Sequence, residues 1–215
     1  MSPPTRPAVP VPTPEPVTSA VPTPVPTPAP VPVSVTALAD RVRAASPRLG
    51  GTRLVVVDGP AGSGKTTLAG RLGAALGAPV LHGDDLLAGW GDLEGWWSRL
   101  ADGVLAPLAA GRPGRYRRYD WVERRFAEEH DVPLTGALVV EGCGAGRRAA
   151  DAVAVLRVWV EAPPDVRLAR GLERDGEDMR SEWLAWMAAE AAHFAAEGTR
   201  ERADVLVDGC ASMEP

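Results

Sequence analysis

The chain has 215 residues, a formal net charge of −5 and 23 basic residues, of which 22 are Arg and one, Lys65, is lysine. An acidic balance argues against a nucleic-acid-binding surface, and two cysteines 67 residues apart make neither a disulfide framework nor a zinc site. No apolar run reaches the roughly 18–20 residues that cross a membrane, so no membrane partner is expected and the chain reads as a cytoplasmic protein with one main domain.

Thirteen prolines lie between Pro3 and Pro32. Proline lacks an amide donor and fixes φ, so residues 1–36 are predicted as a Pro-rich disordered tail, extended or polyproline II where ordered. No unbroken apolar stretch follows a basic start, as a secretory signal would need. The tail's P-x-x-P matches suit a proline-reading partner domain, although this proline density makes such matches nearly unavoidable; translation from near Val33 or Val35 is the alternative. Residues 37–215 form the predicted domain.

From Val35 the pattern alternates between helix and strand. Val35–Ala45 reads as a short amphipathic helix, Arg53–Asp58 (RLVVVD) as a buried strand, and Lys65–Leu76 as a helix with Leu68, Leu72 and Leu76 on one side. Pro79–His82 is a second strand, Leu93–Ala110 is mostly helical, and Arg112–Arg118 is a basic loop broken by Gly and Pro. Glu123, Glu128 and Glu129 are placed on a helix after it. Ala137–Glu141 and Val153–Val160 are strands. Pro164–Arg174 and Ser181–Ala196 are helices, the second with Ser181 as N-cap, and Asp204–Val207 is a final strand. Short strands alternating with helices imply an α/β fold with a parallel sheet covered on both faces. Trp90, Trp96, Trp97, Trp159, Trp183 and Trp186 are expected to pack in it.

Gly59-Pro-Ala-Gly-Ser-Gly64-Lys65-Thr66 is a complete G-x-x-x-x-G-K-[ST] motif between a strand and a helix. Glycines let backbone amides approach phosphate oxygens, and the helix N-terminus adds partial positive charge there. The predicted ATP site is therefore Gly59, Ala61, Gly62, Ser63, Gly64, Lys65, Thr66 and Thr67. Lys65 supplies charge to the β- and γ-phosphates, and the Thr66 hydroxyl is a Mg²⁺ ligand. The chain's one lysine falls at the motif position that needs a compact, mobile ammonium in place of a planar guanidinium. With no second lysine, the N/T-K-x-D motif of guanine-specific GTPases cannot be built. Asp84 and Asp85 follow the second strand, and Glu141 ends the third. In a parallel sheet these positions share the edge where the phosphate loop lies. Mg²⁺ takes one or two carboxylates plus substrate phosphates, and Thr66, Asp84 and Glu141 supply that set.

GPAGSGKTT (59–67), LHGDD (81–85), RYDW (118–121), LVVEG (138–142) and RLARGLERD (167–175) together resemble the uridine kinase-like family of P-loop kinases, related to phosphoribulokinase and bacterial pantothenate kinase. The resemblance implies a P-loop NTPase fold with a five-stranded parallel sheet in the order 2-3-1-4-5. It also implies Asp84 as base on the acceptor hydroxyl, Glu141 at the metal, and Tyr119, Asp120 and Trp121 in the acceptor pocket. Arg170 and Arg174 would stand beside a short lid near 174–181. Asp85 and Arg124 are further candidates for acceptor contact. Leu86-Leu87 replaces the family's aromatic pair and Arg124 its histidine, which leaves the acceptor open. Arg112, Arg115, Arg117, Arg118, Arg124 and Arg125 would suit an anionic acceptor, or they pair with neighbouring glutamates. The function expected is ATP- and Mg²⁺-dependent phosphorylation of a hydroxyl on a nucleoside, nucleotide or similar metabolite. The alternative is an ATP-binding module of slow turnover acting through a protein partner.

Overall fold

The computed structural model describes residues 34–211; the predicted tail, except its last three residues, lies outside them. Five parallel strands form the centre: β1 (Arg53–Asp58), β2 (Val80–His82), β5 (Ala137–Glu141), β6 (Ala154–Glu161) and β7 (Val205–Asp208). They lie side by side as β2-β5-β1-β6-β7. Two further strands, β3 (Gly114–Asp120) and β4 (Arg125–Val132), make a separate antiparallel hairpin. The anticipated order 2-3-1-4-5 therefore describes the sheet's own strands only. In chain order it is interrupted by a hairpin the sequence reading did not contain.

Alternate residues of β1 face opposite layers, as a strand buried on both sides must. Leu54 and Val56 join one core with Leu138, Val140, Trp96 and Trp186. Val55 and Val57 join the other with Leu68, Leu72, Val139, Leu156 and Val158. The second layer is closed by α1 (Val35–Ala44) and α2 (Lys65–Leu76). α1 is capped by Ser34, whose Oγ accepts from Ala37 N at 3.3 Å. The first layer holds α3 (Trp96–Leu100), a π-helical turn (Ala101–Leu105) and α4 (Ala106–Ala109), so the helix expected over 93–110 is shorter and changes winding. The chain then runs through α5 (Pro164–Asp175), α6 (Arg180–Glu197) and α7 (Thr199–Arg202). Trp96, Trp159, Trp183 and Trp186 are buried, and Trp90 and Trp97 pack against the first core.

Two local expectations are corrected. The basic loop at 112–118 and the acid-bearing helix after it are the two arms of the hairpin. Their charges match across the ladder: Arg115 Nε meets Asp131 Oδ1 at 2.7 Å, and Arg118 Nη2 meets Glu128 Oε2 at 3.2 Å. Charged residues on both faces hide the two-residue alternation by which strands are read. Ser181 is not a cap, because α6 starts at Arg180 with Met179 in the cap position and Ser181 Oγ donates to Glu182 Oε2 at 2.7 Å. A 3₁₀ turn, Glu177–Met179, runs straight into the helix and displaces its start by one residue.

Candidate active site

β1 ends at Asp58, the glycine loop turns at Gly59, and α2 starts at Lys65. Gly59 has φ +140°, and a Cβ there would stand 2.0 Å from the Val160 carbonyl oxygen of β6, so the loop passes too close to the sheet for any other residue. Asp58 anchors this turn. Its Oδ1 accepts from Gly59 N at 2.6 Å and Gly144 N at 2.8 Å, and its Oδ2 accepts from Gly146 N at 2.8 Å. Burial pushes the carboxyl above the ordinary aspartate range, against the pull of those three amides and of Lys65.

Lys65 is buried at the loop's inner face, with Nζ 3.0 Å from Pro60 O and 3.6 Å from Cys143 Sγ. Burial works against its ammonium, and the Cys143 sulfur with Glu141, Glu190 and Asp58 more than offsets it, holding the pKa above an ordinary lysine's. Burial also pushes the Cys143 thiol far up, so the sulfur is neutral and the carboxylates carry the effect. Lys65 is thus a fixed positive charge.

The metal candidates converge. Thr66 Oγ1 lies 3.1 Å from Glu141 Oε1, at the C-terminal end of β5. His82 Nδ1 lies 2.7 Å from the same oxygen, and that contact, above all, raises its pKa. Among the described residues no three of His, Cys, Asp and Glu cluster as a metal site. Mg²⁺ needs no such cluster when phosphates complete its shell, and the hydroxyl and carboxylate oxygens of Thr66 and Glu141 are the hard donors it takes. Asp84 stands on the turn after β2 and opens into the same cavity. Removal from bulk water inside the cleft raises its carboxyl pKa, and Glu141 adds to this. Because its side chain still meets cavity solvent, this is the shift of a cleft and not of a dry core.

One cavity of about 1070 Å³ joins these groups. That lies at the upper end of the roughly 300–1,000 Å³ of ligand sites. Ala61, Gly62, Gly64, Lys65, Thr66 and Thr67 line it, as do Asp84, Asp85, Trp121, Glu141, Arg170 and Arg174. Gly59 and Ser63 do not; Ser63 is fully buried behind the loop. Tyr119, Asp120 and Arg124 do not line it either. Asp120 spends its Oδ1 on Val122 N and Glu123 N at 2.9 and 2.8 Å, shaping the hairpin turn, and Arg124 sits on that turn with φ 51°. Tyr119 packs edge-on against Trp121 and Phe126 instead, supporting the indole that does reach the cavity. The hairpin arginines reach neither end of the cavity: Arg117 bonds Phe126 O and Ala127 O, and Arg115 and Arg118 bond carboxylates across the ladder. Arg115 and Arg118 thus make the carboxylate pairs that were one of the two readings of that basic segment.

A model of the family described as AAA domain matches residues 55–193, more than half of the chain and every site residue named above. The chain belongs to that family. A cytidylate kinase from Natronomonas pharaonis is 30% identical over 131 residues, a match spanning 59% of this chain and 60% of that protein. Among solved structures, a candidate uridine kinase from Bacillus stearothermophilus superimposes with TM-score 0.59 at 21% identity, covering 81% of this chain and 97% of the other. A candidate fructose transport system kinase from a Silicibacter species gives 0.58 at 23%, covering 81% and 98%. At these identities the likeness to the two structures concerns the fold.

This AAA domain also carries groups that motif reading missed. Asp58 was legible only as the last residue of a strand, and Glu190 only as one acid on an Ala-rich helix. Both are buried at the phosphate loop, Glu190 with Oε2 accepting from Ala61 N at 2.8 Å. The only signal for Asp58 was an acid closing an otherwise apolar strand. Glu190 gave none, since the loop lies 129 residues away.

Proposed function

We propose that this protein transfers the γ-phosphoryl group of ATP to a hydroxyl of a small acceptor, with Mg²⁺ as cofactor. The observation that carries the reading is that Lys65, Thr66, Glu141 and Asp84 line one cavity that continues past the phosphate loop into an aromatic end. There the acceptor oxygen forms a bond to the γ-phosphorus as the bond to the β-phosphate oxygen breaks, and ADP leaves. The hydroxyl proton passes to Asp84, whose raised pKa brings it nearer the working pH of a base. Thr66 and Glu141, with Asp84 directly or through water, would hold the Mg²⁺ that neutralises phosphate charge. Backbone amides from Gly62 to Thr66 and the Lys65 ammonium orient the phosphates. Arg170, now bonded to Gly62 O and Gly209 O at 3.1 and 3.2 Å, closes the nucleotide end.

The acceptor end supports an uncharged substrate with a flat or apolar body. Leu87, Trp90, Trp121, Trp183 and Trp186 wall it, and Trp90 meets the other three indoles edge to face at 5.9 to 6.0 Å. A cation on its wall, Arg174, lies over the Trp183 ring at 5.7 Å and forks onto Asp175 at 2.7 and 2.9 Å. The name of the N. pharaonis relative suggests a nucleotide acceptor instead, which would need a free cation to meet its phosphate. Incubation with ATP, Mg²⁺ and a panel pairing each uncharged nucleoside or aromatic alcohol with its monophosphate tests this. The expected result is a mass gain of about 80 Da, one phosphoryl group, on an uncharged member. ATP hydrolysis that ignores every acceptor overturns the kinase reading.

A further inference from the structure

Behind the phosphate loop lies an ion pair that the transfer chemistry does not use. Glu190, on α6, is 1% exposed and Arg167, on α5, is 8% exposed. Arg167 Nη1 donates to Glu190 Oε1 at 2.7 Å. Charges buried this deeply are costly unless every partner is supplied, and a pair of apolar residues of similar size would serve packing as well. The remaining bonds show where this pair is directed. Glu190 Oε2 accepts from Ala61 N at 2.8 Å, and Arg167 Nη1 also donates to Ala61 O at 3.3 Å. Both backbone polar groups of one loop residue are thereby held by one ion pair. The next residue is clamped as well: Gly62 has φ +76°, and a Cβ there would lie 2.6 Å from the Arg167 carbonyl oxygen. Arg167 Nε fixes itself to Ala162 O at 3.2 Å. The two helices bearing the pair are the two joined by the lid segment, Gly176 to Met179.

We infer that Arg167 and Glu190 are positioning residues for the ATP phosphates. They turn the Ala61 amide away from the ligand and present the amides from Gly62 onward to it, while linking the loop to the helices on either side of the lid. The inference rests on the reading of residues 59–67 as the ATP site. Neither side chain touches a reacting atom. Their effect is on phosphate-bearing ligands, and a nucleoside that reaches only the base end is not affected.

The test compares binding of ATP and of adenosine, by calorimetry, to the full chain, to Glu190→Gln and to the double variant R167M/E190L, with a thermal melt of each. Glu190→Gln keeps an acceptor for Ala61 N and loses the charge. The double variant removes both buried charges and restores apolar packing, so it remains folded where a single truncation fails. The expected result is ATP affinity lower by about tenfold in Glu190→Gln and more in the double variant, from loss of charged hydrogen bonds to the loop. Adenosine affinity stays within twofold, and the double variant melts near the parent. Recovery of both melting and ATP affinity in the double variant would show a packing role and overturn the inference. So would a parallel loss of ATP and adenosine binding. If the parent chain itself binds no ATP, it is the site reading that fails.

Discussion

Replacing Asp58 by Asn separates the anchoring of the phosphate loop from its chemistry, since Asp58 does not line the cavity. The carboxylate takes two amides on Oδ1 and one on Oδ2. Those three N–H groups favour the ionised form, while burial opposes it and raises the pKa. Asparagine keeps the shape. With its oxygen in the Oδ1 place it retains Gly59 N and Gly144 N, now as neutral bonds of roughly half the strength. Its amide then faces Gly146 N–H, donor against donor, and one buried donor left unsatisfied costs about 1–3 kcal/mol. Relief of the buried charge offsets part of this, leaving a net loss of about 2 kcal/mol. In a folded unit of about 180 residues that lowers Tm by about 4–8 °C. A thermal melt followed by circular dichroism at pH 7, without nucleotide, reads it directly. A Tm within about 1 °C of the parent would mean that Asp58 is already protonated, and the argument would be wrong.

Three further outcomes are expected. Lys65→Ala lowers kcat by ~10²–10³, the size of losing one transition-state donor; near-normal turnover with any acceptor defeats its assignment. Trp121→Ala removes an indole that lies on the cavity wall with Nε1 3.2 Å from Asp84 O. Acceptor KM should rise about tenfold while ATP affinity is unchanged, and an effect confined to ATP would move the acceptor elsewhere. Arg200→Met probes pH dependence. Arg200 bonds both Glu161 oxygens at 2.6 and 2.8 Å, and this fork, helped by the Trp159 indole, holds the Glu161 carboxyl below its ordinary value. A depressed carboxyl stabilises the fold above its unfolded pKa, and that contribution is lost as pH falls through the folded one. For this partly exposed pair it amounts to about 1 kcal/mol, so the Tm gap between parent and variant should be about 2–4 °C at pH 7 and close towards pH 3. A gap independent of pH rules out the charge as its source.

The limits of sequence reading show best around the hairpin. Parallel strands such as Ala137–Glu141 announce themselves because both faces are buried and the run is apolar up to its final Glu141. β3 and β4 carry Arg, Asp and Glu on both faces, and only their pairing across the ladder makes them strands. The same limit applies to the segment expected at the cavity, of which only one residue lines it. Tyr119, Asp120 and Trp121 are adjacent in sequence, yet a strand turns neighbours to opposite sides, and the chain bends at Asp120, so Trp121 alone reaches the cavity.

What the sequence settled by itself is local. Gly59 to Thr66 form a motif whose chemistry follows from consecutive amides at a helix start, and Asp84 and Glu141 stand at strand ends that a parallel sheet brings to one edge. Position along the chain was enough there, because topology does the rest. The tertiary structure alone decided which side chains meet across long separations. It placed Glu190 and Arg167 behind Ala61, Asp58 under the loop from Gly144 to Gly146, and four tryptophans from three segments at one end of the cavity. These contacts depend on how helices and loops pack over the sheet, and packing leaves no fixed spacing in sequence from which to read it.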